Sequence, residues 1–194
     1  MYFSRCRRNC RPRRRGTRAT VVARCPLPRQ HDGIRAIAVT PEPRMPTSQL
    51  REQLVGAWRL VSYEIRPRDG GTVTYPLGRD ARGWILYTPD GYMSAQLMAP
   101  GRPPYADGDL QGGSVEERAA AAHGYIAYSG PFNVDDDGTL THEMDVSLYP
   151  NWIGNVQQRV VSIDGDRMQL GTAGPVVING REVDAVLVWV RARR

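Results

Sequence analysis

The chain has 194 residues and a formal net charge of +6, the balance of 26 basic and 20 acidic residues. The charge is uneven, because residues 1–44 hold twelve arginines and two acids, whereas residues 45–194 hold fourteen arginines and eighteen acids and are mildly acidic. The length suits one domain with an attached segment, and the acidic domain gives no reason to expect a nucleic-acid-binding surface. No stretch approaches the roughly 20 apolar residues of a membrane span.

Residues 1–44 are predicted to be a disordered, arginine-rich tail, because the arginine run has neither helical nor strand periodicity. A secretory signal is rejected since arginines and prolines interrupt the segment where its apolar stretch would lie. The three cysteines of the tail and His31 do not have the spacing of common zinc sites. The interpretation of the tail as an arm that binds RNA or DNA stays open. We favour the hypothesis that Met45 is the true start and that 45–194 is the domain.

Six Asp-Gly or Asn-Gly pairs divide the remaining chain, and such pairs favour the tight turns of β-hairpins. Alternating apolar and polar residues flank most of them, so we expect about nine antiparallel strands. The predicted strands are 54–65, 73–77, 83–88, 92–98, 125–134, 139–149, 155–163, 167–173 and 181–191.

One short helix is expected between the strands, where Ser114 and Glu117 form a capping box ahead of an alanine-rich run that Gly124 ends. Its few large apolar side chains suit a movable lid over one end of the sheet, although a structural plug is an equal alternative. Many short strands at hairpin spacing favour a closed barrel or a sandwich, and closure removes exposed edges.

Side-chain alternation predicts which residues face inward. In 139–149 one face carries His142 and Met144 together with Leu140, Val146 and Leu148. In 155–163 the alternation does not decide, because both faces mix apolar and polar residues. The same alternation places Leu54, Gly56, Trp58, Leu60 and Ser62 on one face of their strand, and Ala185, Leu187 and Trp189 on one face of theirs.

Two short motifs resemble the framework of lipocalins and related calycin barrels, namely Gly56-x-Trp58 and Trp189-x-Arg191. In that framework the tryptophan closes the barrel base and an arginine of the last strand packs over its ring. A more specific resemblance, to the bacterial and fungal lipocalin-like domain family, covers roughly residues 50–191. Its motifs are GWILYTPDGYMS at 83–94, YSG at 128–130, YPNWIG at 149–154 and QQR at 157–159.

This resemblance implies an all-β, antiparallel up-and-down barrel of eight or nine strands with an internal cavity. It implies no particular reaction, although some family members lie in natural-product gene clusters. The domain contains no cysteine, which fits a reducing cytoplasm.

His142 is the candidate catalytic residue, because an imidazole exchanges protons near neutral pH. The alternative is a core histidine hydrogen-bonded to a neighbouring Tyr or Gln. A buried Arg159 would require a carboxylate from the protein or from an acidic ligand. Trp152 either shields an opening or anchors a turn. The candidate ligand-binding residues are Tyr87, Gln96, Tyr128, His142, Met144, Trp152 and Arg159.

No metal site is expected, since the domain has two histidines and no cysteine and the Asp135–Asp137 run lacks the spacing of a calcium loop. The sequence thus predicts a cofactor-free cytoplasmic protein that binds a small, largely apolar molecule, acidic or aromatic, within a barrel. The alternative is a cyclase or isomerase of polyketide-like substrates in secondary metabolism, with His142 or a tyrosine as proton donor. The expected partner is a small hydrophobic ligand and not a membrane or a nucleic acid, and the oligomeric state is not indicated.

Overall fold

The computed structural model describes residues 47–178 and 180–193, so the interpretations of the tail and of Met45 lie outside the described residues. Within them the chain forms two α-helices, a 3₁₀ turn and ten strands. These are α1 Thr47–Leu54, β1 Gly56–Pro67, β2 Arg82–Tyr87, β3 Tyr92–Met98, α2 Val115–His123, β4 Tyr125–Val134, β5 Leu140–Glu143, β6 Val146–Ser147, the turn Pro150–Trp152, β7 Val156–Asp164, β8 Arg167–Thr172, β9 Val176–Ile178 and β10 Arg181–Arg191.

The sheet curls into a closed antiparallel barrel. Its order is β1-β2-β3-β4-β5-β7-β8-β10, and β10 pairs with β1 along almost the whole of both strands. The short strands β6 and β9 add to β4 and β10, respectively. The predicted up-and-down barrel is therefore confirmed, with eight strands in the closed ring.

One end of the barrel is sealed by an arginine–tryptophan pair. The guanidinium of Arg191 lies 4.1 Å from the ring centroid of Trp58, as in a cation–π interaction. Arg191 also donates hydrogen bonds to the carbonyl oxygens of Gln53, at 2.6 Å, and Val55, at 3.0 Å. The indole of Trp58 donates to the carbonyl of Leu54 at 2.8 Å. The last strand, the first strand and α1 are thus joined at a single point.

Helix α1 was not expected, because Leu54 was read as the start of a strand. Leu50 and Leu54, four residues apart, lie on one side of the helix and are buried in the core. The helix therefore plugs the sealed end of the barrel. The predicted strand 73–77 is also not formed, since only a single bridge joins Thr74 to Ile65.

A register shift in β1 changes which of its side chains face inward. Trp58 and Leu60 are buried as predicted, but the pairing with β10 slips by one residue between Leu60 and Ser62. Such a bulge moves the following side chains to the opposite face. Tyr63 and Ile65 consequently pack inward, in place of the predicted alternation through Ser62.

The predicted strand 139–149 is also interrupted, and it forms β5 and β6 instead. His142 and Met144 are buried as expected, but Val146 and Leu148 are 62% and 44% exposed. The pairing with β4 shifts by one residue between the two strands, so the alternation reverses after Met144.

Gly130 makes room for this bulge. A Cβ atom at Gly130 would overlap the carbonyl oxygen of Glu143 and would lie 2.9 Å from the amide nitrogen of Asp145. The same bulge is held by a hydrogen bond from that amide to the carbonyl of Ser129 at 3.0 Å. A side chain at position 130 is therefore incompatible with the observed pairing.

Replacing Arg191 with Met is expected to lower the free energy of unfolding by about 2–4 kcal/mol, because the cation–π contact and two hydrogen bonds to backbone carbonyls are lost. Urea unfolding followed by tryptophan fluorescence measures the change. Arg167→Met, at an exposed position of β8, is the control and should change stability by less than about 0.5 kcal/mol. Equal effects of the two substitutions would contradict this account of the sealed end.

Replacing Gly130 with Ala is expected to cost about 1–3 kcal/mol, because the added methyl group forces β4 away from the bulge. Gly108→Ala provides the control, since no atom lies within 4 Å of a Cβ built at that exposed glycine. Thermal unfolding of both variants compares them. Equal melting temperatures of Gly130→Ala and Gly108→Ala would show that the bulge does not require a glycine at position 130.

Candidate ligand-binding site

A cavity of about 620 Å³ opens at the end of the barrel away from α1. Its inner wall includes the buried side chains of Leu97, Tyr128 and Leu187, whereas exposed Val156 and Val177 stand at its mouth. Strand ends and the segment 172–178 supply most of the lining. The barrel is thus filled at one end and hollow at the other.

Helix α2 does not contribute to the wall of the cavity, and its role as a lid stays a prediction. The loop that carries α2 leaves the barrel at the open end, between Leu97 and Ile126, where the amide of Ala99 donates to the carbonyl of Gly124 at 2.9 Å. No residue of α2 lines the cavity.

Arg159 lies on the cavity wall and is only 8% exposed. It donates one hydrogen bond, from Nη2 to Oε1 of Gln157, and its Nε has no hydrogen-bond partner among the described residues. Within that same part of the chain, no carboxylate forms an ion pair with it. A buried guanidinium without a counter-charge is costly unless a ligand supplies one.

Both faces of strand β7, which carries Arg159, mix apolar and polar residues. Gln157 and Arg159 face the interior together with the partly buried Val161 and Ile163, whereas Val156 and Val160 are about 60% exposed. This mixture explains why alternation alone could not orient the strand. It also identifies Gln157 as a cavity residue that the sequence analysis missed.

Aromatic side chains form one side of the cavity. The rings of Tyr128 and Trp152 meet edge-to-face with centroids 5.6 Å apart, and Tyr149 meets Trp152 in the same way at 5.6 Å. All three line the cavity, so Trp152 belongs to its wall. Edge-to-face packing holds these rings in fixed positions and presents flat apolar surface to a ligand.

Tyr63 adds a polar group to the same cavity. Burial raises the pKa of its hydroxyl, the nearby Arg159 lowers it by a smaller amount, and Tyr128 raises it further. Neither the Tyr63 nor the Tyr128 hydroxyl has a hydrogen-bond partner among residues 47–178 and 180–193. Tyr63 was missed from the sequence because the bulge in β1 precedes it.

His142 lies below the cavity in the packed core and is completely buried. Its Nε2 is 2.9 Å from the hydroxyl of Tyr87, as the alternative of a hydrogen-bonded core histidine requires, and its Nδ1 has no partner among the described residues. Burial lowers the pKa of His142 from 6.5 to about 3, with a further contribution from the positive charge of Arg159. Burial raises the pKa of Tyr87 well above 10, so both groups are neutral at pH 7.

The sequence-predicted residues therefore separate into three groups. Tyr128, Trp152 and Arg159 line the cavity. Tyr87, His142 and Met144 point inward but are buried in the core and do not line it. Gln96 does not have the predicted orientation, because it is exposed on the outer face of β3, where its Oε1 accepts a hydrogen bond from the Tyr125 hydroxyl at 3.0 Å.

No cluster of three or more side chains suited to a metal ion occurs in the described part of the chain. A search of the same residues finds no helix with the length and apolarity that a membrane crossing requires.

The pKa of His142 predicts how stability depends on pH. The unfolded chain binds a proton near pH 6.5 and the folded chain only near pH 3, so stability falls as the pH drops between these values, by at most about 1.4 kcal/mol per pH unit. His142→Gln should flatten this dependence, measured by urea unfolding from pH 7 to pH 4.5. His123→Gln, at the exposed end of α2, should leave it unchanged. Parallel curves of stability against pH for the wild type, His142→Gln and His123→Gln would contradict a lowered pKa of the buried imidazole.

Comparison with known proteins agrees with this architecture. Residues 55–192 match the family model described as a lipocalin-like domain. Over 109 residues the chain is 43% identical to the 4'-hydroxy-3'-methoxypropiophenone carrier protein of Aspergillus oryzae, a match that covers 53% of this chain and 98% of that protein. Together with the hollow barrel, these similarities support the binding of a small molecule inside it. The chain belongs to the lipocalin-like domain family.

Proposed function

We propose that this protein is a carrier that binds one small, largely apolar aromatic molecule in the open end of its barrel. The observation that carries the proposal is the cavity of about 620 Å³, which falls within the range of about 300–1,000 Å³ that small-molecule sites occupy. Its walls combine apolar surface with a few polar groups, and this combination gives affinity and orientation in such sites.

An aryl ring suits the aromatic wall. The rings of Tyr128, Tyr149 and Trp152 are fixed against one another, and a further ring placed in the cavity would continue the same edge-to-face or stacked packing. The relative named above is a carrier of an aryl ketone that bears hydroxyl and methoxy groups. We therefore propose an oxygenated aryl compound of natural-product metabolism as the ligand class.

The alternative of a cyclase or isomerase with His142 as the proton donor has less support from the geometry, whereas Tyr63 and Tyr128 do line the cavity. A general acid must reach the proton that it transfers, within hydrogen-bond distance or through one water. His142 is completely buried and does not line the cavity. Its neutral imidazole, bonded to Tyr87, instead fits a structural role in the layer beneath the ligand. The cytoplasmic location and the independence from a cofactor remain predictions from the sequence.

The proposal is tested by isothermal titration calorimetry with 4'-hydroxy-3'-methoxypropiophenone. We expect one molecule to bind per chain. Ile126→Trp, which adds bulk to the cavity wall, should weaken binding by at least about tenfold, since the loss of even 1.4 kcal/mol of contact energy has that effect.

Val160→Trp is the matched control, because Val160 lies on the outer face of β7 and does not line the cavity. It should bind like the wild type. Circular dichroism melts of both variants establish that the barrel is intact. Equal affinities of the two variants would place the ligand elsewhere, and no binding to the wild type would reject this ligand class.

A further inference from the structure

The charged group of the cavity lies at its buried side. Arg159 is nine-tenths buried, and its neighbour across the sheet is the completely buried Leu140. The mouth, by contrast, presents the apolar side chains of Val156 and Val177. A ligand that enters through the mouth therefore contacts apolar side chains first and the positive charge of Arg159 at the buried side.

The charge of Arg159 is uncompensated within the described part of the chain. Among the described residues its side chain donates one hydrogen bond, to the neutral amide oxygen of Gln157, and its Nε has no acceptor. The charge acts on its surroundings, because it opposes protonation of His142 and lowers the pKa of Tyr63. A negative group that enters the cavity would thus gain the Coulomb attraction of the guanidinium.

Two hydroxyl groups are available to complete such a site. The side chains of Tyr63 and Tyr128 line the same cavity, and the described residues supply no acceptor or donor for either hydroxyl. Burial favours the neutral, donating form of Tyr63. A planar guanidinium beside phenolic donors is suited to an oxygen anion, since charge-assisted hydrogen bonds are about twice as strong as neutral ones.

We propose that Arg159, with the hydroxyls of Tyr63 and Tyr128, forms a subsite for an ionised oxygen of the ligand, so that the aryl ligand enters with its acidic end first. The acidic group is a carboxylate or an ionised phenol, which present the same anionic oxygen chemistry to a guanidinium. This inference rests on the proposed function, and it adds the charge and the orientation of the ligand.

The inference is tested with a matched pair of probes, 4-hydroxy-3-methoxybenzoate and its methyl ester, at pH 7. The two share a ring and differ in the carboxylate charge. We expect the wild type to bind the acid at least about tenfold more tightly than the ester, the scale of a charge-assisted hydrogen bond in a buried site.

A second arm detects an ionised phenol. The absorbance of 4'-hydroxy-3'-methoxypropiophenone moves to longer wavelength when its phenol loses a proton. If the phenol is the recognised group, the ligand bound to the wild type will show a larger ionised fraction than the free compound in the same buffer. This spectrum separates the phenolate from the carboxylate as the source of the anion.

Variants assign the preference to Arg159. Arg159→Met should remove the preference for the acid and the spectral shift, whereas Arg159→Lys, which keeps the charge, should retain part of them. Arg82→Met, at an exposed position of β2 outside the cavity, should behave like the wild type. If Arg159→Met does not fold, the relative affinities of the wild type and of Arg159→Lys for the acid and the ester still test the subsite.

A preference for the acid or a shift of the phenol spectrum that depends on Arg159 supports the subsite and identifies the recognised anion. Equal binding of acid and ester by the wild type, together with an unshifted phenol spectrum, overturns it while the proposed carrier function stands. A preference that persists in Arg159→Met also overturns it. Failure of the wild type to bind any of the three compounds rejects the proposed function itself.

Discussion

The contact of Arg191 with Trp58 is the constraint on which the rest of the barrel depends. It joins the end of the last strand to the start of the first, and its hydrogen bonds to the carbonyls of Gln53 and Val55 attach α1 to the same point. With this end filled by indole and leucine side chains, a ligand can enter only from the other. A partly buried cation–π pair is well suited to this position, because it covers apolar surface and also satisfies backbone acceptors.

Two polar features interrupt the apolar interior of the barrel. The neutral pair of Tyr87 and His142 is buried in the packed core, and Arg159 lines the cavity. A buried polar pair that is mutually hydrogen-bonded costs little, whereas an unpaired guanidinium is tolerated where a ligand or solvent can reach it. The same barrel therefore contains one neutral polar pair, in which Nδ1 of His142 has no partner among the described residues, and one charged group that lines the cavity.

Alternation in single strands predicted part of the candidate site. Tyr87, Tyr128, His142, Met144 and Arg159 all point inward, and Trp152 lies on the cavity wall. Tyr63 was missed because a bulge between Leu60 and Ser62 reverses the faces of β1. In β7 the inward face mixes Gln157 and Arg159 with Val161 and Ile163, so hydrophobicity did not distinguish this face from the outer one. Gln96 was misplaced because a polar residue on an outer face looks the same in sequence as one in a cavity.

By itself the sequence determined the turns, the strand alternation and the pair of motifs that close the barrel, because these depend on residues near one another along the chain. Turn residues set the backbone locally, and the spacing of Trp58 and Arg191 from their strand ends allows closure in one register only. Only the tertiary structure decided where the two bulges lie and how large the cavity is. It also decided that, among the described residues, no carboxylate pairs with Arg159. These depend on how distant strands are aligned, since a shift of one residue between paired strands exchanges the interior for the surface.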